Sequence, residues 1–240
     1  VGLFLRYVLQ GTDRYMPDVI SLARGGWDRA GTQLTRPSTW ARGAQVEERT
    51  WDGISYRHVG ARWSEFEFQR YRPRPALTEL LRGYDLIQIV AGTPPWAHLT
   101  KNVDVPVALQ VATLTTVERN GQFTDDPLPL RLWRSGMKHV VYRMERRVPS
   151  LVDAIFVENA WMYDHFREQA DEDIVHFAPP GIDTETYNPG DSSGERGDYI
   201  LCVGRLGDSR KNVRLLFEAY TRLRQRMSDA PRLVLAGLSG

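Results

Sequence analysis

The fold is decided by residues 199–212, which read Tyr-Ile-Leu-Cys-Val-Gly-Arg-Leu-Gly-Asp-Ser-Arg-Lys-Asn. The apolar start, Tyr199–Val203, is typical of a buried strand and stops at Gly204. Arg205 and Lys211 follow, and a helical pattern begins directly after them. A strand, a glycine-containing turn and a helix start place backbone N–H groups and cations around a phosphate. We therefore predict an anion-binding loop at this position.

Other apolar runs of strand length alternate with segments of helical length. The strand candidates are Val1–Leu9, Ile54–Val59, Asp85–Val90, Val105–Val111, Ala154–Val157, Ile174–Ala178 and Leu233–Ala236. The helix candidates are Pro17–Ala30, Pro75–Arg82, Arg131–Arg147, Trp161–Gln169 and Asn212–Met227. Most of the strand candidates are uniformly apolar, which indicates strands that are covered on both faces. The alternation predicts an α/β fold built from βαβ units around a mostly parallel sheet.

A dense run of proline, glycine and serine divides the chain at residues 179–198. Turn formers at this density predict a linker between an N-terminal domain at 1–178 and a second domain at 199–240. The second segment supplies only a strand, a helix and a strand, which are too few to enclose a core. We expect it to be the beginning of a larger domain, and the chain to be part of a longer protein.

The net charge, the cysteine content and the apolar runs of the sequence limit which partners the protein binds and in which compartment it works. The formal net charge is +1, so no global field favours nucleic acid or an acidic substrate. The lone cysteine, Cys202, fits a reducing compartment as a small core residue and excludes an internal disulfide. No run approaches the ~20 apolar residues of a membrane span. We expect a cytoplasmic protein, with peripheral contact at the inner face of the membrane left open.

Several segments of the chain resemble one enzyme family. Pro180-Gly181-Ile182-Asp183 followed by Tyr187-Asn188-Pro189 resembles the Gly-Ile-Asp … Phe-x-Pro signature of the retaining family-4 glycosyltransferases. Val203–Leu206 followed by Lys211-Asn212 resembles the Val-Gly-Arg-Leu … Lys-Gly/Asn signature of the same family. Further similar segments are Tyr84–Ile87, Val105–Val107, Leu151–Val157 and Leu233–Gly237. Together they cover nearly the whole chain, and their order and spacing are specific.

The resemblance implies a GT-B fold, in which two Rossmann-like domains face a cleft. The N-terminal domain would be complete and hold the acceptor, and the truncated second domain would hold the nucleotide-sugar donor. The resemblance also implies that Arg205 and Lys211 bind the donor diphosphate. Gly11 would let the backbone approach the donor, although the family often has paired glycines where Gln10–Asp13 has one.

No cofactor beyond the donor is expected, because two fixed cations beside the leaving diphosphate can do the work of a metal. The sequence shows no Asp-x-Asp metal motif in a convincing context, and Asp125-Asp126-Pro127 is typical of a turn.

The sequence departs from the family pattern where many members carry a histidine near the reacting sugar. Ala112 stands at about that place, and His98 is the candidate that would enter the cleft from another loop. Polar residues just beyond the Val105–Val111 strand are acceptor-side candidates, because ligands of open α/β sheets bind at the carboxyl ends of strands. They are Thr113, Thr115, Thr116 and Glu118. Helix capping and turn formation are the alternative roles for these residues.

The basic segment 131–147 is amphipathic, with an apolar stripe of Trp133, Met137, Val140, Val141, Met144 and Val148. Such a helix can bind an anionic membrane surface, whereas the alternative is an ordinary surface helix whose stripe faces the core.

The overall prediction is a retaining glycosyltransferase that moves a sugar from a UDP- or GDP-sugar to a carbohydrate or lipid-linked acceptor in surface polysaccharide or glycoconjugate assembly. This chain alone is expected to be inactive, because the family's two glutamates lie beyond Gly240 in the family pattern. The alternatives are a catalytically dead GT-B binding protein and a sugar-nucleotide epimerase of similar form.

Overall fold

The computed structural model describes residues 11, 14–118, 127–188, 198–208 and 211–237. The chain divides into two compact units, Val1–Gly181 and Ile182–Gly240. The boundary falls inside the segment 179–198 that the sequence predicts to be a linker. The predicted strand Val1–Leu9, the predicted turn at Asp125–Asp126 and residues 189–197 of the linker lie outside the described residues.

Within the described residues, the elements of the first unit run from strand β1 (Ile20–Leu22) to strand β7 (Val175–Phe177). In chain order they are β1 (Ile20–Leu22), α1 (Ser38–Arg42), β2 (Val46–Trp51), β3 (Ile54–Val59), α2 (Glu67–Arg70), α3 (Pro75–Leu81), β4 (Ile87–Ala91), β5 (Val107–Val111), α4 (Thr115–Glu118), α5 (Leu128–Glu145), β6 (Ala154–Val157), α6 (Ala160–Arg167) and β7 (Val175–Phe177). Short 3₁₀ helices span Pro94–Thr100, Val148–Leu151 and Glu172–Ile174.

A four-stranded parallel sheet forms the centre of this unit, in the order β4-β5-β6-β7. Its inner strands are buried as their apolar sequences predict: Leu109, Val111, Ile155 and Val157 are each 0% exposed. Helix α6 packs its buried Met162 and Phe166 into the same core. The expected α/β architecture with a parallel sheet is therefore confirmed for this part of the chain.

The first unit also contains a separate three-stranded sheet in the order β1-β3-β2, which the predicted arrangement of βαβ units around one parallel sheet did not include. Strand β1 pairs in parallel with β3, whereas β2 and β3 form an antiparallel hairpin. The hairpin turns at Asp52-Gly53, where both residues have positive φ, at 52° and 78°. An Asp-Gly pair favours this turn because glycine takes positive φ without steric cost.

The predicted helix Pro17–Ala30 is wrong, because the structure has strand β1 and a series of turns there. The β-branched Ile20 and its neighbours pair with Arg57–Val59 of β3 instead. Tertiary pairing therefore overrides the local helix signal from Pro17. The other predicted helices form within a few residues of their expected bounds.

The second unit contains β8 (Tyr199–Val203), α7 (Val213–Arg226) and β9 (Arg232–Ala236). The two strands pair in parallel, from Tyr199 opposite Arg232 to Val203 opposite Ala236. Helix α7 connects them as the crossover of a βαβ unit, so the predicted strand–helix–strand order is confirmed. Cys202 is half-buried rather than fully buried.

Candidate functional site

The carboxyl ends of β8 and β9 lie close together, and glycine makes this possible. The N–H of Gly204 donates to the carbonyl of Ala236 at 3.0 Å. Gly237 has a φ of 144°, and a Cβ atom at this position would lie 1.8 Å from the carbonyl oxygen of Gly204. Only glycine fits such an approach. The loop after β8 is therefore held at the carboxyl edge of this two-stranded sheet.

Consecutive turns connect the two predicted phosphate-binding cations. The N–H of Asp208 donates to the carbonyl of Arg205 at 3.1 Å, and the N–H of Lys211 donates to the carbonyl of Asp208 at 2.9 Å. The Arg205 guanidinium lies 3.3 Å from the Asp208 carboxylate, with 68% of the arginine side chain exposed. The Asp208 side chain is only 15% exposed, whereas the Arg205 guanidinium remains accessible to a phosphate from the solvent.

Lys211 lies directly before the start of α7, and its side chain is exposed. Asn212 adopts a left-handed conformation, and its side-chain oxygen accepts the N–H of Leu215 at 3.4 Å. The first N–H groups of a helix and its dipole favour anions. The structure thus brings both predicted cations to one loop between a strand end and a helix start. Ser209 and Arg210 of this loop lie outside the described residues.

Gly11 and His98 belong to the first unit. Gly11 is exposed, and residues 1–10 and 12–13 on either side of it lie outside the described residues, so its contact with a donor stays a prediction. His98 is buried in the 3₁₀ helix Pro94–Thr100, and its Nε2–H donates to the carbonyl of Met144 at 2.8 Å. Burial lowers the pKa of His98. This geometry gives His98 a packing role between the 3₁₀ helix and α5, and a catalytic role for it stays a prediction.

The acceptor-side candidates lie just beyond β5, as the sequence predicts. Thr113 donates its N–H to the carbonyl of Gly92 at 3.0 Å, which joins the ends of β5 and β4. Thr115 donates its N–H to the Glu145 carboxylate at 2.7 Å, and Thr116 Oγ1 lies 3.4 Å from the same group. Within the described part of the chain, the buried Thr115 hydroxyl has no hydrogen-bond partner. A buried hydroxyl without a partner costs free energy, because it loses the hydrogen bonds that water would supply.

A buried polar cluster next to these threonines was not found by sequence reasoning. The Tyr71 hydroxyl donates to Glu67 at 3.1 Å, and the Thr93 side chain also hydrogen-bonds with it. Burial raises the pKa of Tyr71 to about 12, and the charges of Glu145 and Glu118 act in the same direction. The sequence feature that could have indicated this cluster is Glu145, because it is the one acidic residue among the basic residues of segment 131–147.

The carboxyl edge of the four-stranded sheet therefore combines carboxylates, hydroxyls and a neutral phenol. Such groups donate and accept hydrogen bonds in the way that sugar hydroxyls require. The half-buried Thr113, Thr116 and Glu118 form the accessible part of this edge.

The structure also joins Ser21, His58 and Asp28, which no sequence motif indicated. His58 Nδ1 lies 3.2 Å from the Ser21 hydroxyl, and Nε2 lies 2.9 Å from the Asp28 carboxylate. His58 and Asp28 are buried, and Ser21 lies within strand β1 rather than on an exposed turn. The arrangement therefore satisfies buried polar groups of the three-stranded sheet and lacks the exposed nucleophile that hydrolysis requires.

An open, mainly apolar groove of about 180 Å³ lies between the edges of β1 and β4, and no predicted site residue lines it. Among the residues that the structure describes, no group of three or more His, Cys, Asp or Glu side chains is placed to hold a metal ion.

No protein-family model matches the chain, and no curated protein sequence matches it.

Proposed function

We propose that this chain is part of a retaining glycosyltransferase of the GT-B type. It would transfer a sugar from a UDP- or GDP-sugar to a carbohydrate or lipid-linked acceptor in the assembly of surface polysaccharide or another glycoconjugate. The first unit would supply the acceptor side, and the second unit would supply the donor side.

One observation carries the proposal. Arg205 and Lys211 flank a single loop that runs from the carboxyl end of a parallel strand to the start of a helix of 14 residues. Ligands of open α/β sheets bind at such strand ends, and anions bind at helix starts. The arrangement suits a diphosphate, since Arg offers a planar fork of donors and Lys a compact charge.

The proposed chemistry depends on charge that develops on the leaving group. When the bond between the sugar and the nucleoside diphosphate breaks, the diphosphate gains negative charge. Cations fixed beside it stabilise the transition state more than the ground state, and this difference accelerates transfer. Arg205 and Lys211 would supply these cations, while the hydroxyls and carboxylates beyond β5 would bind acceptor hydroxyls.

A catalytically inactive nucleotide-sugar-binding protein is the second candidate. The observation in its favour is that Ala112 stands where many family members carry a histidine, while His98 is buried with its Nε2 hydrogen-bonded to the Met144 carbonyl. Both candidates require the diphosphate loop, and only the first requires sugar transfer.

The donor site is tested by titrating the ¹⁵N-labelled protein with UDP and with GDP while its amide NMR signals are recorded. We expect the largest shifts at Gly204, Arg205, Lys211 and Asn212, with little effect from uridine or guanosine. Arg205→Ala or Lys211→Ala should weaken binding by about 10- to 100-fold, which corresponds to the roughly 1.5–3 kcal/mol of a charged hydrogen bond.

Arg232→Ala is the matched control, because Arg232 is an exposed arginine at the opposite, amino end of β9. It should leave nucleotide affinity unchanged. Shifts that map elsewhere, or equal affinity in all three variants, would contradict the proposed donor site. Because this chain alone is expected to be inactive, sugar transfer from a UDP- or GDP-sugar is measured on the full-length protein that contains it. Transfer by that protein separates the transferase from the inactive binding protein.

A further inference from the structure

Helix α5 (Leu128–Glu145) exposes apolar side chains on the face that points away from the protein. Leu128 is 67% exposed and Leu132 is 66% exposed. They lie four positions apart and so share one side of the helix. The buried side is marked by Val141 and Glu145, which are 1% and 5% exposed. The two leucines are not members of the apolar stripe that the sequence predicts, and they lie on a different side of the helix.

The anchoring contacts of α5 lie on its other faces. Trp133 packs against Phe66 with ring centroids 5.2 Å apart, and the Met144 carbonyl accepts the His98 hydrogen bond. Of the predicted stripe, Val141 and Val148 are fully buried, whereas Trp133 and Val140 are 46% and 38% exposed. Helix α5 thus packs as a surface helix, mainly through its carboxyl-terminal half, and leaves its outer face to solvent.

The charge of this outer face is entirely positive. The exposed cations of this face are Arg143 and Arg146, and Arg147 follows directly after the helix. Arg131 and Lys138 are also exposed, but their heptad spacing to Glu145 places them nearer to the packed side of the helix. The sequence from Leu128 to Met144 contains no aspartate or glutamate, and Glu145 is buried. Leu132, His139, Arg143 and Arg146 follow one another at helical spacing, so leucines and cations share the outer face. The two leucines cluster at the amino-terminal end, and most of the cations follow toward the carboxyl-terminal end.

We propose that the outer face of α5 docks the protein on an anionic lipid surface. Leu128 and Leu132 enter the boundary between headgroups and acyl chains, while the arginines remain at the level of the lipid phosphates. Interfacial helices have this combination of aliphatic side chains and a basic polar face. The exposed aliphatic pair favours lipid over nucleic acid, which is bound through phosphate contacts and aromatic stacking.

None of the helices in the described ranges is both long and apolar enough to cross a bilayer. Docking by α5 is independent of the proposed glycosyl transfer, because it uses residues outside both candidate sites.

The test is flotation of the protein with phosphatidylcholine vesicles and with vesicles of phosphatidylcholine and phosphatidylglycerol. We expect about ten-fold stronger partitioning to the anionic vesicles, and a loss of this preference at high salt. The double variants Leu128→Ser/Leu132→Ser and Arg143→Gln/Arg146→Gln should each reduce partitioning by about ten-fold. Because all four side chains are exposed, circular dichroism should show unchanged helix content.

Matched controls come from α7, where Leu215 is 57% exposed and Arg222 and Arg224 are also exposed. Leu215→Ser and Arg222→Gln/Arg224→Gln should leave partitioning unchanged. Equal partitioning to neutral and anionic vesicles, or an equal loss in the α7 variants, would overturn the proposal. Binding of a short RNA that is as tight as vesicle binding and survives Leu128→Ser/Leu132→Ser would overturn it in favour of nucleic acid.

Discussion

At the scale of single residues, the burial of His98 makes the stability of the folded protein depend on pH. Burial lowers its pKa below the ordinary value of 6.5. The unfolded chain therefore binds a proton at a pH where the folded protein does not. We expect the free energy of unfolding to be highest above about pH 6.5 and to fall as the pH drops through and below that value. His98→Gln can still donate to the Met144 carbonyl, and it should reduce this pH dependence.

The measurement for His98 is urea unfolding of the wild type and His98→Gln at several pH values between 5 and 8. His139→Gln is the control, because His139 is an exposed histidine on α5. An unchanged slope of stability against pH in His98→Gln would show that His98 does not carry the effect. Loss of sugar transfer by the His98→Gln variant of the full-length protein, without any change in stability, would instead support a catalytic role for His98.

Sequence reasoning placed Arg205 and Lys211 in one loop, but it did not find the polar cluster of the first unit. Arg205 and Lys211 are close in sequence, so a local strand–turn–helix pattern was enough to bring them to one loop. Tyr71, Thr93 and Glu145 lie on three separate elements, and only tertiary packing brings them together. No local period of the sequence contains that information.

At the scale of elements, Asn159 fixes the start of α6 against the end of β5. Its Oδ1 accepts the N–H of Met162 at 2.9 Å, and its Nδ2 donates to the carbonyl of Ala112 at 2.9 Å. Asn159→Ala removes the helix cap and a second hydrogen bond, and it should destabilise the first unit by about 2 kcal/mol. Asn159→Asp keeps the cap acceptor and should cost about half as much.

These values are obtained from urea unfolding curves fitted with a common slope. Asn102→Ala is the matched control, because Asn102 is an exposed asparagine in the loop before β5. It should change stability by less than about 0.5 kcal/mol. If Asn102→Ala lowers the free energy of unfolding as much as Asn159→Ala does, the proposed role of Asn159 as a cap that bridges α6 and the end of β5 is wrong.

The strands of the parallel sheet were predicted from their apolar runs, whereas in the three-stranded sheet β3 was predicted with its observed bounds and β1 and β2 were missed. Strands β4 to β7 are mostly apolar, with Gln88, Gln110 and His176 as the exceptions, and their runs were recognised because strands of a parallel sheet are largely buried. Strand β2 reads Val-Glu-Glu-Arg-Thr-Trp and has no such run. Strand β1 has three residues and depends on its partner β3. The Asp52-Gly53 turn was the signal that could have revealed the hairpin of β2 and β3.

At the scale of the whole molecule, the two units differ in how much they bury. The first unit has a continuous core around its parallel sheet, and several side chains in it are fully buried. In the second unit, Ala230 is the one buried residue among those that the structure describes. Leu201 and Val203 of β8 are 50% and 70% exposed. Since buried apolar area is the main source of stability, the second unit should open more easily.

Native-state hydrogen exchange tests this difference directly. Strands β5 and β6 pair in parallel, and so do β8 and β9, so the type of hydrogen bonding is matched while burial differs. After correction for intrinsic exchange rates, we expect the amides of β8 and β9 to exchange at least ~100-fold faster than those of β5 and β6, a difference of about 3 kcal/mol in opening free energy. Equal protection of the two pairs would contradict the burial argument. A nucleoside diphosphate that protects β8, β9 and the start of α7, and leaves β5 and β6 unchanged, would connect this low stability to the proposed donor loop, because a ligand stabilises the unit that binds it.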